Sequence, residues 1–137
     1  MCAVNPVRFL IVDDDRGILN HLEKYLSKPN IEITLAENGE EAFCKIQEFF
    51  KEKKYFSLIV SDVNMPKMDG YELIKKITNT YHDYPALLVL MSSAPGEIYD
   101  HDESQFVQAI LNKPFNILAL KDIVDSVNVM ELQSSVH

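Results

Sequence analysis

The sequence predicts an α/β domain in which a doubly wound parallel sheet carries helices on both of its faces. Short apolar runs alternate along the chain with segments whose apolar residues recur every three or four positions. Three of the runs are almost continuously apolar, which is typical of strands that are covered on both faces. A chain of 137 residues has the size of one compact domain, so we expect a single (βα)5 unit.

Five short apolar runs are the predicted strands. The second run mixes apolar and polar residues, which favours a position at an edge of the sheet. A longer segment follows each run, so we expect right-handed crossovers between parallel strands. The runs cover residues 8–12, 31–36, 56–60, 86–91 and 109–112.

Helical periodicity predicts helices between the strands and one more near the carboxyl end. Asn38 and Asn116 are placed to cap two of them. Residues 94–107 contain Pro95, Gly96 and four acidic residues, so we expect at most a short helix there. The apolar positions that define the helices are Ile18, Leu22, Tyr25 and Leu26; Ala42, Ile46, Phe49 and Phe50; Leu73, Ile77 and Tyr81; and Leu120, Ile123, Val124, Val127 and Met130.

Charge and hydropathy exclude several classes of function. A formal net charge of -8 repels a phosphate backbone, so we expect no direct nucleic-acid binding. No apolar stretch approaches the roughly 18 residues of a membrane span. The amino terminus lacks the basic start and apolar core of a signal peptide. We therefore expect a cytoplasmic domain that does not insert into membranes.

The cysteines and histidines show no pattern of a metal or redox site. Cys2 and Cys44 lack the spacing of a metal-binding pair, and we expect free thiols. Cys44 falls within a helical pattern, where we expect it to pack as a small hydrophobe. Metal or triad spacing is also lacking among the histidines, which we expect at the surface: His21, His82, His101 and His137.

Polar groups follow four of the five predicted strands. Because the carboxyl ends of parallel strands meet at one edge, these groups converge on one rim, where such sheets bind ligands. Carboxylates, hydroxyls and an ammonium at four such positions indicate a working site. The groups are Asp13, Asp14 and Asp15 after the first strand, Ser61 and Asp62 after the third, Ser92 and Ser93 after the fourth, and Lys113 after the fifth.

Motifs around these positions are similar to those of one known family, the receiver domain of two-component response regulators. They occur in the family's order and at nearly its usual separations. The motif MPKMDG alone would only be suggestive, whereas the joint pattern is highly specific. The segments that resemble the family are FLIVDDD at 9–15, AENGEEA at 36–42, LIVSDVNMPKMDGYEL at 58–73 and LNKPF at 111–115.

The resemblance covers essentially the whole chain, from about Arg8 to Met130. It implies a flavodoxin-like (βα)5 doubly wound sheet with strand order 2-1-3-4-5. It also implies that residues 1–137 form a single receiver domain, with a core of about 8–130 and short tails.

Residue by residue, the resemblance implies a phosphorylation site at the rim. It makes Asp62 the phosphoacceptor, with Lys113 and Ser92 as the other residues that act on the phosphoryl group. A one-residue slip at the strand end would exchange Ser92 for Ser93, so both stay candidates for the switch hydroxyl. The metal ligands that it implies are Asp13, Asp14, Asp62 and the backbone carbonyl of Asn64.

Carboxylates gathered on one rim require compensating positive charge. Like charges about 4 Å apart repel by roughly 4 kcal/mol at an effective dielectric constant near 20. Lys113 supplies one positive charge, and a divalent cation supplies two more. Hard oxygen ligands, with no cysteine or suitably spaced histidine nearby, favour Mg²⁺, with Mn²⁺ as a second choice, over zinc or copper.

The expected function is that of a phospho-accepting receiver in a two-component system. A histidine kinase or histidine phosphotransfer protein would transfer a phosphoryl group to Asp62. The conformational switch that follows would control a downstream partner protein. We expect no enzymatic activity beyond self-phosphorylation and autodephosphorylation at this residue.

Three alternatives stay open. The chain can be a receiver fragment of a longer response regulator or of a hybrid histidine kinase. A haloacid-dehalogenase-type phosphohydrolase also uses a rim aspartate with magnesium, but residues 13–17 lack the Thr or Val of that family's DxDx(T/V) motif. A flavodoxin-like binding module would need a phosphate loop rich in glycine, serine and threonine, which is missing.

Two departures from the family pattern affect the expected output. Ile110 stands three residues before Lys113, where the family often has an aromatic ring that swings with the switch hydroxyl. The segment between Ser92 and Lys113 is short and acidic, so we expect a stunted or rearranged fourth helix, which is a common output surface. A receiver that docks its partner by another face fits both departures.

Overall fold

Strands and helices alternate along the chain, as the apolar periodicity predicts. The structure is a computed structural model that describes residues 7–92, 107, 109–112 and 120–125. Residues 120–125 are helical. The preceding elements are β1 (Val7–Val12), α1 (Arg16–Leu26), β2 (Ile31–Ala36), α2 (Gly39–Lys51), β3 (Leu58–Asp62), α3 (Gly70–Thr80), β4 (Leu87–Ser92) and β5 (Ala109–Asn112).

The five strands pair in parallel in the order β2-β1-β3-β4-β5, which confirms the predicted fold and the edge position of β2. Strand order reverses at β1, because the chain moves first to β2 on one side and then to β3 on the other. The register aligns Val12 with Ser61 and Ser92 with Asn112. The carboxyl ends of β1, β3, β4 and β5 therefore lie together at one edge.

Both faces of the sheet are buried under helices. Side chains alternate along β1, so that Leu10 and Val12 pack with α2 and α3, whereas Phe9 and Ile11 pack with α1 and residues 120–125. Each fully buried side chain of this size contributes about 1.5–3 kcal/mol relative to an exposed one. These two apolar layers hold the strand ends, and the polar groups at those ends, in place.

The ends of β3 differ from the predicted ones. β3 spans Leu58–Asp62, two residues further along than the apolar run at both ends. Phe56 is fully buried, but its N–H donates to Tyr84 Oη (3.0 Å) rather than to a neighbouring strand. Hydropathy indicates that a residue is buried but not which group its backbone bonds to. The predicted strand therefore begins two residues before the observed one. β1 begins one residue earlier than predicted, and β4 begins and ends one residue later than predicted.

Helix ends follow the capping signals where they are described. Asn38 caps α2, as predicted, since its Oδ1 accepts from the Glu41 N–H (2.9 Å). None of the helices in the described part of the chain combines the length and apolar character needed to cross a membrane. Predictions that lie outside the described residues concern Cys2, Ser93, residues 94–106, His101, Lys113, Asn116, Val127, Met130 and His137.

Three helical residues are more exposed than the apolar pattern predicts. Cys44 is a free thiol, as expected, but it is exposed, so its predicted packing in the core is wrong. Tyr25 and Phe50, near the ends of their helices, keep 39% and 37% of their surface exposed. Cys44 lies about 200° around the helix from the buried Ala42 and Ile46 and therefore faces away from the sheet. Periodicity does not show how far the ends of a helix are covered, which is why burial is predicted for Tyr25 and Phe50. His21 and His82 are exposed, as predicted. The residues that α2 buries instead are Gly39, Ala42, Phe43 and Ile46.

The loop between β3 and α3 is held tightly by two glycines. Gly70 N–H donates to the Val63 carbonyl (2.8 Å), and a Cβ at Gly70 would lie 2.5 Å from the Asp62 carbonyl oxygen. Gly39 N–H donates to the Met68 carbonyl (3.2 Å), and a Cβ there would lie 2.6 Å from that oxygen. The first residues of α2 and α3 therefore fit against the loop only because they lack side chains.

Replacing Gly70 by alanine is expected to destabilise the fold by about 2–4 kcal/mol, because the new methyl group displaces the backbone of Asp62. Equilibrium unfolding in urea measures the difference in the free energy of unfolding between this variant and the native chain. Gly17→Ala is the matched control, because its Cβ would meet only the Asp15 side chain, at 3.1 Å. Similar unfolding free energies for the two variants would contradict the close packing at Gly70.

Tyr84 joins the segments that lead into β3 and β4. Its hydroxyl accepts the Phe56 N–H, and its ring lies 5.8 Å from that of Tyr81. Burial raises the pKa of Tyr84 from 10.0 to about 12, because the phenolate is poorly solvated there, while the hydrogen bond from Phe56 acts in the opposite direction.

The raised pKa of Tyr84 predicts a loss of stability at alkaline pH. The folded chain holds the phenolic proton more tightly than the unfolded chain, so this contribution is complete below pH 10 and disappears as the pH rises to about 12. Tyr84→Phe is expected to be less stable by about 1–2 kcal/mol at neutral pH and to lose less stability over this window. Urea unfolding at several pH values tests this, with the exposed Tyr25→Phe as control. Parallel pH profiles for all three proteins would exclude the assignment.

Candidate functional site

Three aspartates meet at the carboxyl edge of the sheet. Asp13 directly follows β1, and its N–H donates to the Ala36 carbonyl (3.1 Å) in continuation of the strand pairing. Its side chain is fully buried, and its Oδ1 accepts from the Asp15 N–H (2.9 Å). Asp62 is the last residue of β3 and is 6% exposed, whereas Asp14 is exposed. Two of the three carboxylates are thus withdrawn from bulk water by the strands that carry them.

These carboxylates form one cluster. One oxygen each from Asp13, Asp14 and Asp62 lies within 4.8 Å of the other two. At that separation two negative charges repel by about 3–4 kcal/mol at an effective dielectric constant near 20. Lys113, which is predicted to offset part of this charge, lies outside the described residues. The cluster is an acidic pocket that can bind a metal ion.

Asp15 has a different role from its two neighbours. Its Oδ1 accepts from the N–H groups of Gly17 (2.8 Å) and Ile18 (3.3 Å), so it is the N-cap of α1. The three consecutive aspartates therefore divide into two that face the pocket and one that starts a helix. Beyond the cap, Arg16 forms an ion pair with Glu37 (2.6 Å) that joins α1 to the end of β2. Nothing in the spacing of the sequence indicates this pair.

The serines at the edge of the sheet are both buried. Ser92 is the last residue of β4 and is fully buried, aligned with Asn112 at the end of β5. Ser61 Oγ donates to the Asp62 carbonyl (2.9 Å), a contact that orders the backbone of Asp62. The sequence predicts that Ser61 lies at the rim but indicates no function for it. Its position next to Asp62 in the chain is the one sequence feature that points to a role at the site.

Asn64 and Ile110, which the sequence singles out, both lie within the described residues. Asn64 lies in the loop after β3, two residues beyond Asp62, and is exposed. Ile110 is half-buried and packs against the apolar layer beneath α2 and α3. The position where the family often carries a swinging aromatic ring therefore holds an aliphatic side chain in contact with the core.

The donor set of the pocket selects the class of metal. All three groups are carboxylates, and no histidine or cysteine belongs to the cluster among the described residues. Hard oxygen donors suit Mg²⁺ or Mn²⁺ and are poor ligands for copper or thiolate-bound zinc. The residues present therefore fit a hard divalent cation.

Comparison with known proteins identifies the family. The family model for the response regulator receiver domain matches residues 9–125. The response regulator receiver protein CpdR of Brucella abortus is 31% identical over 123 residues, which are 90% of this chain and 95% of that protein. A probable transcriptional regulator, ycf27 of Pyropia yezoensis, is 34% identical over 122 residues, but this chain spans only 46% of its length.

A solved structure agrees with the fold described above. The response regulator TrrA of Thermotoga maritima, crystallised in complex with Mg²⁺ and BeF, superimposes with a TM-score of 0.71 at 30% identity. The match covers 88% of this chain and 98% of that one. With its 2-1-3-4-5 sheet, its acidic pocket and a family match over most of its length, this chain belongs to the response regulator receiver domains of two-component signal transduction.

Proposed function

We propose that this receiver accepts a phosphoryl group on Asp62 from a histidine kinase or a histidine phosphotransfer protein. The observation that carries the proposal is the meeting of Asp13, Asp14 and Asp62 within one pocket at the end of the central strands. Asp62 is the member of the cluster that ends β3, the strand at the middle of the sheet. The phosphorylated protein then controls a downstream protein partner.

Mg²⁺ is the cofactor that we assign to this site, with Mn²⁺ as a substitute. Asp14, Asp62 and the backbone carbonyl of Asn64 would hold it directly, and Asp13 would act through water. When bound, the ion neutralises the carboxylates and the oxygens of the entering phosphoryl group. The Mg²⁺ in the TrrA structure supports this choice.

The reaction needs little covalent chemistry from the protein. A carboxylate oxygen of Asp62 attacks phosphorus in line, the bond from phosphorus to the donor's imidazole nitrogen breaks, and the product is an acyl phosphate. The strand pairing of β3, the Ser61 hydrogen bond and the close approach of Gly70 hold the Asp62 backbone in place for this attack. Lys113 would pair with an equatorial oxygen of the phosphoryl group.

The acyl phosphate would shift the domain between two conformations. It adds about two negative charges and three acceptor oxygens at Asp62. Ser92, buried at the end of the adjacent strand, is the hydroxyl that we assign to the switch, and the loops after β3 and β4 would move with it. Because Ile110 replaces the usual aromatic ring, the output would not depend on a ring that swings.

Two relatives of different length bear on the setting of the domain. Because the chain spans almost all of CpdR but less than half of ycf27, a receiver of this kind occurs both nearly alone and within a longer protein. We propose a single receiver domain with a core of about 8–130 that works in the cytoplasm and does not contact nucleic acid or insert into membranes itself. Its partners would be the phosphodonor protein and one protein target.

Removing one carboxylate is expected to weaken metal binding. Asp14→Asn should reduce Mg²⁺ affinity at least tenfold, because one charged ligand is lost. In the presence of a chelator the same variant should gain about 1 kcal/mol of stability, since charge repulsion decreases. Isothermal titration calorimetry measures the affinity, because the chain has no tryptophan to report binding.

The matched control for metal binding is Asp15→Asn. It removes the same charge one residue away, and asparagine still caps α1. We expect its Mg²⁺ affinity to stay within about twofold of the native value, since Asp15 is not a member of the cluster. Equal losses in both variants would mean that overall charge, and not ligation, attracts the ion.

Phosphorylation itself tests the proposed function. Incubation with Mg²⁺ and acetyl phosphate should add one phosphoryl group that is lost at alkaline pH, as an acyl phosphate is, and intact-protein mass spectrometry should detect it. Asp62→Ala should show no addition, whereas Asp15→Asn should be modified like the native chain. A phosphoryl group on Asp62→Ala in equal yield would refute the assignment of the phosphoacceptor.

A further inference from the structure

An open groove lies at the amino-terminal edge of the sheet, opposite the acidic pocket. It has a volume of about 440 Å³ and forms where the chain enters β3 and β4 and where α2 and α3 end. None of the residues that carry the proposed phosphorylation lines it. We call it the aromatic groove, and its main lining residues are Phe50, Tyr55, Tyr81, His82, Tyr84 and Pro85.

The rings of the aromatic groove support one another. Phe50 lies 4.3 Å from Tyr81 and meets Tyr55 edge-on at 5.6 Å, and Tyr55 lies 6.0 Å from Tyr84, measured between ring centroids. Tyr84 is held in turn by the hydrogen bond from Phe56. Because these rings are already ordered, a ligand that packs on them loses little side-chain entropy.

Exposure of the rings distinguishes the aromatic groove from the core. Among the described residues, the large hydrophobic side chains that are exposed are Tyr25, Phe50 and Tyr55, and two of these three belong to the groove. Tyr55 keeps 42% of its surface accessible. Clustered exposed aromatic side chains are typical of the central contacts of protein interfaces.

A positively charged segment of exposed residues connects two of the exposed rings, although the chain as a whole is acidic. The segment Lys51–Lys54, between Phe50 and Tyr55, contains three lysines and one glutamate and therefore has a net charge of +2, against -8 for the chain. Lys54 pairs with Glu52 (3.4 Å), while Lys51 and Lys53 make no ion pair with any other described residue. The opposite wall contributes one negative charge, from Asp83. The groove thus suits a ligand that is acidic on one side and apolar in the middle.

The backbone at Lys53 adopts a conformation that suits glycine better than lysine. Lys53 has a φ of 61°, and the N–H groups of Lys53 and Lys54 donate to the carbonyls of Phe50 (3.0 Å) and Phe49 (2.9 Å). This is the hydrogen-bond pattern of a Schellman cap, whose left-handed residue is usually glycine. A lysine costs stability at such a position, and strain of this kind is often kept for function.

A peptide fits the aromatic groove better than a nucleic acid or a second copy of the chain. The positive segment is short, and a nucleic-acid strand that extends beyond it meets a chain of net charge -8. If a second copy of the chain docked its acidic pocket into this groove, the groove of that second copy would stay free to bind a third. Such a head-to-tail contact builds an open filament and not a closed dimer. A short acidic peptide matches the charge and the apolar rings of the groove, without the charge repulsion that a nucleic acid meets and without the filament that a second copy would form.

We propose that the aromatic groove docks an acidic peptide segment of a partner protein. An aromatic or aliphatic side chain of the peptide packs against the exposed surfaces of Phe50 and Tyr55, and the peptide's carboxylates pair with Lys51 and Lys53. The five residues of β3 separate this groove from Asp62 by about 13 Å of strand. A partner can therefore hold the receiver here while the acidic pocket stays open to a phosphodonor.

A labelled peptide tests the proposal on the intact chain. The probe is a fluorescein-labelled peptide of glutamate and aspartate around one phenylalanine and one leucine, followed by fluorescence anisotropy. We expect saturable binding that weakens with salt, and about tenfold weaker binding when serine replaces the two apolar residues. Amide chemical shifts in the native chain should change mainly at residues 50–55 and 80–85.

Variants of the chain separate docking from folding. Tyr55→Ala should weaken binding about tenfold, because the exposed ring contributes contact area and little to the core. Lys53→Gly should weaken it a few-fold while it raises the thermal midpoint, since glycine suits the positive φ. Tyr25→Ala, which removes an exposed tyrosine from α1, should bind like the native chain.

The outcomes that would overturn the proposal are distinct. Absence of saturable peptide binding, or equal binding by Tyr55→Ala and the native chain, removes the acidic peptide as the ligand. Tighter binding of a labelled single-stranded oligonucleotide, or self-association that Tyr55→Ala abolishes, assigns the groove to another occupant and also refutes it. Asp62→Asn should bind the peptide normally, so a failed phosphorylation experiment leaves this result unaffected.

Discussion

The repulsion among three carboxylates at one edge of the sheet is the constraint on which the rest of this structure depends. Asp13 and Asp62 cannot separate, because each is attached to a strand that is paired and buried on both faces. The two apolar layers supply the energy that keeps like charges together. Such a concentration of negative charge favours the binding of a cation, and the edge is therefore an acidic pocket that can hold a hard divalent metal ion.

A parallel sheet gives this small domain two edges with different chemistry. The carboxyl ends of all the strands lie along one side of the sheet, and their amino ends lie along the opposite side. The first edge carries carboxylates and buried hydroxyls, and the second carries exposed rings next to the lysines of Lys51–Lys54. Since the two surfaces share no residue, contacts at one leave the other accessible.

The loop after β3 connects the acidic pocket to the helices. Met68 is hydrogen-bonded to the start of α2, and the backbone of Asp62 touches the start of α3 at Gly70. No space for a Cβ exists at either contact, so a displacement of the Asp62 backbone has to move the first turn of a helix as well. With an aliphatic Ile110 packed on the core, this loop is the direct structural link from the site to the α2 and α3 face.

The sequence by itself determined the alternation of elements, the parallel sheet, the edge position of β2 and the convergence of Asp13 with Asp62, because apolar periodicity and strand-end polarity are local properties. The family resemblance already placed Asp14 with Asp13 and Asp62, whereas only the tertiary structure decided that Asp15, the next residue in the same acidic run, caps α1. It also decided that rings distant in sequence form a groove. Those features depend on where helices end relative to the sheet and on which segments pack together, and neither is encoded in the spacing of residues along the chain.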